Sequence, residues 1–275
     1  MKTLSVPASY YQQFDADFSL GVPAEGYGGW KTEDIEISLE HTAVVVMHAW
    51  DFGSREDYPG WHRAVEYISR AQQICRDVFP PLLSAVRASG LPLLHVVSSG
   101  HYYQNYLGYK RAVELAGAPP TALERIPQDD TYRRLCEFRS EKVFVGAHNA
   151  ADVKRGFANL DFAREARPLG DEGIAENGHH LFALCRDAGI NHLIYAGFAI
   201  NWCLLLSPGG MAEMSARGFL CSVFRQAVTA VENKDTARSE LCKEIGLWRT
   251  ALAYGFVFDV EPFIRACESL ACRAD

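Results

Sequence analysis

Leu193-Ile194-Tyr195-Ala196-Gly197-Phe198-Ala199-Ile200-Asn201-Trp202-Cys203 is the stretch on which the reading of this chain turns. Leu193 to Ala196 is a short apolar run of the kind buried on both faces in a parallel sheet. Gly197 ends it, and a thiol follows where the spacing predicts a helix over Cys203 to Leu206. Exposed amides and the positive end of a helix dipole favour a thiolate, so a cysteine there is placed to be ionised. The competing reading is a packed thiol, because free cysteine is among the most buried residue types.

Working outward, similar apolar runs recur. Thr42 to Met47 reads as a buried β-branched strand, with His48 at its carboxyl end. Leu91 to Ser98 and Phe219 to Phe224 read as further strands, Glu141 to Gly146 as a short one and Gly255 to Val260 as a late one. Ala64 to Ser89 has helical spacing interrupted near Pro80-Pro81, and Asn177 to Ala188, Met211 to Arg217 and Thr236 to Gly246 also read as helices. Gln104 to Pro127 reads as a short helix and an insertion, Ala266 to Asp275 as a polar tail. Strand, helix, glycine, strand in repeated order implies an α/β fold, three-layered and Rossmann-like, around a mainly parallel sheet. Met1 to Glu40, rich in Tyr, Gly and Pro, reads as an irregular arm packed on the body or on a second subunit. The division expected is 1–41 as arm and 42–275 as one domain.

Composition narrows the function. Of 275 residues, 48% are apolar and 22% charged, as in an ordinary globular protein. The net charge of -7 and the absence of a basic run argue against a nucleic-acid surface. No apolar stretch approaches the length of a membrane span and no signal-peptide core opens the chain, so no membrane partner and a cytoplasmic location are expected. The eight cysteines form no C-x-x-C pair, which leaves neither a zinc knuckle nor a redox motif. Gly26-Tyr27-Gly28-Gly29 precedes the strands and lacks dinucleotide spacing, so it is a turn.

At this point the chain resembles the isochorismatase-like cysteine hydrolases, the superfamily of nicotinamidases and N-carbamoyl amide hydrolases. The likeness lies in TAVVVMHAWDF (residues 42–52), GFAINWC (197–203), Met211 to Phe224 and RQAVTAVE (225–232), spanning about Thr42 to Glu232. The resemblance implies an Asp-Lys-Cys triad. Cys203 matches the nucleophile and Lys142 the lysine. The aspartate position falls on His48 when the alignment is anchored on Thr42-Ala43, and on Met47 when anchored on Asp51-Phe52; His48 keeps the strand register. Ile200 stands for the usual Thr and Gln226 for the usual Asp.

The family's oxyanion hole, built at a cis peptide, maps onto Phe198–Ala199 together with Cys203. His48 would serve as proton acceptor in place of the carboxylate, since a neutral imidazole is a competent base near neutral pH. Trp50, His101, Tyr102, Tyr103, Asn201 and Trp202 are the expected pocket residues, with plain core packing as the alternative for the aromatics. The metal motif after the second strand reads Ser99-Gly100-His101 and lacks its carboxylate, so neither metal nor other cofactor is expected. The function implied is hydrolysis of a small amide or ureido substrate through a thioester, by a homodimer or homotetramer. The alternative is a catalytically degenerate binding or assembly subunit on the same scaffold.

Overall fold

The computed structural model describes residues 2–271. Eight strands form one sheet: β1 (Thr3–Gln12), β2 (Gly29–Ser38), β3 (Thr42–Met47), β4 (Leu93–Val96), β5 (Gly173–Ala175), β6 (His192–Phe198), β7 (Leu220–Thr229) and β8 (Val257–Phe258), in the order β2-β1-β8-β7-β6-β3-β4-β5. From β8 to β5 every neighbouring pair is parallel, whereas β1 pairs antiparallel with both β2 and β8. Among the described residues the α-helices are α1 (Pro59–Ala64), α2 (Ile68–Asp77), α3 (Phe79–Ser89), α4 (Leu107–Ala116), α5 (Asp130–Lys142), α6 (Ala150–Ala158), α7 (Gly178–Ala188), α8 (Met211–Ala216), α9 (Leu241–Ala253) and α10 (Val260–Ala271). No helix among the described residues is long and apolar enough to cross a membrane.

The alternation of side chains along each strand separates two cores. Val44, Val46, Ile194, Ala196 and Phe224 face α2, α3 and α10, meeting Ala71, Phe79, Leu82, Val86 and Phe263. Ala43, Val45, Leu193, Tyr195 and Val223 face the other way, onto Leu181, Leu184, Met211, Met214 and Leu247 of α7, α8 and α9. β3 and β6 are buried at every position, which is why they read as unbroken apolar runs.

Several element boundaries differ from the sequence reading. The irregular arm is corrected: β1 and β2 are ten-residue strands in continuous register from Thr3↔Ser38 to Gln12↔Gly29, and Leu4, Val6, Ala8 and Ile37 join the first core. The aromatic and glycine residues that suggested irregularity lie in the connection and on the exposed face. Pro80 and Pro81 do not break a helix but begin one, since the first turn of α3 has no intrahelical use for their missing N–H. Glu141 to Gly146 is not a strand; α5 runs through Lys142 and a bent segment follows. β7 continues to Thr229 through a register shift opposite Tyr195 and Gly197. α10 replaces most of the expected polar tail, because Phe263 and Cys267 bury against the first core; residues 272–275 of that tail lie outside the described residues.

Candidate active site

The strand order reverses direction between β3 and β6. From β3 the chain steps outward to β4 and β5, then returns to β6 and proceeds through β7 to β8. In an open parallel sheet the crevice beyond the carboxyl ends at such a switch point is where ligands bind. His48 and Cys203 follow the carboxyl ends of these two strands. Met47 pairs with Gly197, so His48 is the first residue past β3 beside the start of the Phe198 to Cys203 turn.

His48 adopts φ 52°, a left-handed conformation uncommon outside glycine. Its N–H donates to the Val96 carbonyl (3.0 Å), and its own carbonyl accepts from the Trp50 N–H (3.0 Å). The ring stacks on Trp50 at 4.7 Å between centroids and is only 4% exposed. Burial pushes its pKa down to about 4, so the imidazole is neutral at pH 7. Its Nδ1 is buried without a hydrogen-bond partner. Among the described residues, His48 alone combines a left-handed backbone with a buried side-chain nitrogen that lacks a hydrogen-bond partner. Met47, the other alignment candidate, points into the second core and is fully buried.

Cys203 belongs to a short helical turn, Ile200–Leu204, and is half-buried against the second core. The expected helix start at Cys203 is corrected, since the helical turn begins at Ile200. The helical segment is brief, and burial raises the thiol pKa, opposed by the Ser207 side chain and the Ala199 backbone amide. Ala199 is the second residue of a cis Phe198–Ala199 peptide. Gly197 enters this turn with φ 120°, and a Cβ there would lie 1.9 Å from the Met47 carbonyl oxygen. Only glycine allows β3 and β6 to approach so closely at the site. Phe198 anchors the turn from behind by stacking on Phe79 (5.9 Å).

Asn201 fastens the turn to the end of β7. Its amide donates to the Val231 carbonyl (2.8 Å) and its carbonyl accepts the Val231 N–H (2.9 Å). Arg70 of α2 continues the brace, donating to Thr229 Oγ1 (3.0 Å) and the Ala230 carbonyl (3.2 Å) while pairing with Glu66 (2.8 Å) and Glu240 (2.8 Å). Glu232, itself buried, accepts the N–H groups of Cys242 and Lys243 at the start of α9 (3.0 Å each). Tyr67, at the entry to α2, faces the thiol; burial, then the nearness of Cys203 and Glu66, raise its phenol pKa. Neither Tyr67 nor Arg70 carries a sequence signal, since a tyrosine before a helix and an i,i+4 ion pair are common on any surface.

The remaining expected residues divide. Trp50 is buried and donates its indole N–H to Tyr102 (2.9 Å). Tyr102 and Tyr103 pack edge-on with each other and belong to a small core with Val97, Phe162 and Ile174. Trp202 is 49% exposed and meets Phe144 edge-on at 5.8 Å, beside Cys203. His101 is exposed in its loop, and no group of three or more His, Cys, Asp or Glu gathers among the described residues. Lys142 ends α5 and is exposed. Among the described residues no hydrogen bond joins Cys203, His48 and Lys142 to one another. The structure therefore places His48 and Cys203 beyond the carboxyl ends of the neighbouring strands β3 and β6 and leaves Lys142 exposed at the end of α5.

No family model and no curated protein matches the chain. Solved structures do. In fold, the chain is similar to the isochorismatase-like hydrolases. A cysteine hydrolase from Pseudomonas syringae pv. phaseolicola is 15% identical, with a TM-score of 0.48 over 85% of this chain and 95% of that one. An isochorismatase-like hydrolase from Alkaliphilus metalliredigens is 15% identical, with a TM-score of 0.45 over 84% and 98%. N-carbamoylsarcosine amidase from Thermoplasma acidophilum is 16% identical, with a TM-score of 0.41 over 80% and 97%. Residue roles in this chain rest on its own geometry.

Proposed function

We propose that the protein is a cysteine-dependent hydrolase of a small amide or ureido C–N bond, acting through a thioester at Cys203. The observation that carries this reading is the placement at the switch point: a half-buried thiol in the turn after β6, beside the residue that follows β3, His48, whose imidazole is neutral and whose Nδ1 has no hydrogen-bond partner.

The thiol proton passes to His48 as the sulfur bonds to the substrate carbonyl carbon, and the amide N–H of Ala199 and its neighbours in the turn face the charge that develops on oxygen. Collapse breaks the C–N bond, and the proton on His48 goes to the departing amine. Water, losing a proton to the same imidazole, then adds to the thioester and releases the acid and the free thiol. Burial keeps the imidazole neutral and able to accept a proton, but a pKa of about 4 makes it a weak base toward a thiol whose own pKa is raised, so the proton has to move in step with attack rather than beforehand. Lys142 lies two residues before Phe144, which meets Trp202 beside Cys203, and is assigned the positive charge near the sulfur, while Trp202 and Phe144, set edge to face, offer an apolar corner to the substrate.

A second reading, a binding or assembly subunit without turnover, is favoured by the raised thiol pKa and by the lack of a hydrogen bond from Cys203 to His48 or Lys142. One experiment separates them. The protein is incubated with p-nitrophenyl acetate and the mass of each cysteine peptide is followed over time, with iodoacetamide labelling as a measure of access. Hydrolysis requires an acetyl group that appears on Cys203 and then leaves, with acylation at least about tenfold slower in His48→Ala. A Cys203 that iodoacetamide reaches but the ester never acylates sinks the hydrolase reading and leaves the second.

A further inference from the structure

A pocket of about 600 Å³ opens on the second-core side of the sheet, between α4, the entry to α7 and α8. Tyr109 and Val113 of α4 line it, facing Glu176, His179 and His180 around the start of α7. The arm that carries α5, exposed from Gly117 to Phe144, contributes Pro119 and Pro120 to the lining. Glu176 is half-buried there, and Tyr109 Oη donates to its Oε2 (2.8 Å). Burial, then that bond, push the Tyr109 phenol up to about 12, and burial followed by Glu176 raises Tyr103 as well. Burial outweighs Glu176 at His180 and holds its imidazole below the ordinary pKa, so these neighbours are all neutral at pH 7. Among the described residues no lysine or arginine pairs with Glu176. Glu213, also in the lining, differs: it accepts the Gly209 N–H (2.8 Å) and pairs with Arg217 (2.8 Å). The charge on Glu176 is the one left without a counter-ion. Around it, the rings of Tyr109 and His180 meet at 5.9 Å with 66° between their planes. His179, fixed by its Nε2 on the Ala116 carbonyl (3.0 Å), adds a third ring 6.4 Å from His180.

We infer that this pocket binds a small organic ammonium ion, its N–H groups on Glu176 and its apolar body against Val113, Pro119 and Pro120. An uncompensated carboxylate among angled aromatic rings is the chemistry that recognises such a cation, through a charge-assisted hydrogen bond and attraction to the ring faces. Other occupants are disfavoured. An anion meets Glu176 with no arginine free to offset it, since Arg217 is held by Glu213. A metal ion lacks ligands, because no group of three or more His, Cys, Asp or Glu gathers among the described residues. The volume lies within the roughly 300–1,000 Å³ of small-molecule sites. None of His48, Cys203 and Lys142 lines this pocket, so the assignment does not depend on Cys203 being a nucleophile.

The test is calorimetric titration of the full chain at pH 7 with benzylamine, which is protonated there. Benzyl alcohol and benzoate serve as its neutral and anionic counterparts. Benzylamine binds in the millimolar range or tighter, and both counterparts bind at least about tenfold more weakly. Glu176→Gln keeps an acceptor for Tyr109 but removes the charge, and weakens benzylamine binding about tenfold or more. Val113→Arg, at a position 42% exposed on α4, sets a fixed cation in the pocket and does the same; it serves if the first variant fails to fold. Cys203→Ala leaves the affinity unchanged. The inference is overturned by a counterpart that binds as tightly as benzylamine, or by an affinity that both pocket variants leave intact. Absence of binding at tens of millimolar benzylamine, or a loss of affinity in Cys203→Ala, overturns it equally.

Discussion

The switch-point crevice and the α5 arm are built from the same kinds of residue in opposite circumstances. At the crevice, β3 and β6 have no exposed position, and the turn that carries Cys203 is held by Phe198 behind, Asn201 at the side and Gly197 at its entry. In the arm, leucine, phenylalanine and tyrosine face outward from a helix that nothing in its own chain covers. The contrast shows that apolar pattern reports a demand for burial without saying which molecule meets it. Inside the sheet the chain answers its own demand, whereas in the arm the demand stays open.

The sharpest break of that comparison is at Gly197. Gly197→Ala places a Cβ against the Met47 carbonyl at a φ of 120° that side chains rarely adopt. We expect a loss above about 4 kcal/mol, read as failure to recover folded protein or collapse of the urea midpoint. An equivalent change in the arm, Gly117→Ala, has open space around it despite its positive φ, and costs about 1 kcal/mol by the same measurement.

Acid supplies the next effect. His48 and His192 are buried and both are pushed down to about 4 by desolvation. The unfolded chain, with an ordinary histidine pKa near 6.5, takes up those protons first. Stability is therefore fully present above pH 6.5 and falls as the pH drops toward 4, by about 3 kcal/mol for His48 alone. Urea unfolding at pH 7 and pH 4 measures this, and His48→Phe, which keeps a ring on Trp50, flattens the difference by that amount. A pH dependence that His48→Phe leaves unchanged shows that the imidazole is not held neutral in the crevice.

Smaller still is the brace. Asn201→Ala removes both bonds to Val231 and costs about 1–3 kcal/mol. It also slows acylation of Cys203 relative to alkylation of Cys136, because the turn loses its tie to β7 while the arm is untouched. The smallest effect is in the arm itself: Leu135→Ala, on a helix that buries none of its side chains, changes the unfolding free energy by less than about 0.5 kcal/mol in urea unfolding. A loss of 2 kcal/mol or more there means that α5 packs on its own chain.

This ranking follows how much each region shows in the sequence. The strands around the crevice are legible because β-branched runs between glycines have few other uses, and the runs alone put His48 and Cys203 just past the ends of two buried strands. The N-terminal hairpin is not legible. β2 is exposed at most positions, so Gly29 to Ser38 has little apolar period to report, and β1 takes its place in the sheet through pairing with β8, far along the chain. The state of Cys203 is also hidden. Its pKa depends on the packing of the second core and on Ser207 and Ala199, none of which the spacing of the motif conveys. Tyr67 and Arg70 reach the crevice only because α2 starts where it does. Lys142 reads as the head of a strand, yet it is the last turn of α5, because the apolar residues that follow it are too few to distinguish the two.

β2 bears on the fate of the molecule in crowded solution. It is the outermost strand, ten residues long, with one row of backbone groups unpaired. Along it Lys31, Glu33, Asp34 and Glu36 are exposed, so an incoming strand has to bury or confront charge at nearly every second residue. Those side chains act as a guard rail on an open edge. A variant in which they are replaced by threonine or valine keeps the hairpin and its register but offers a flat template for strand addition, and the same sheet that shelters the crevice becomes a seed for aggregation.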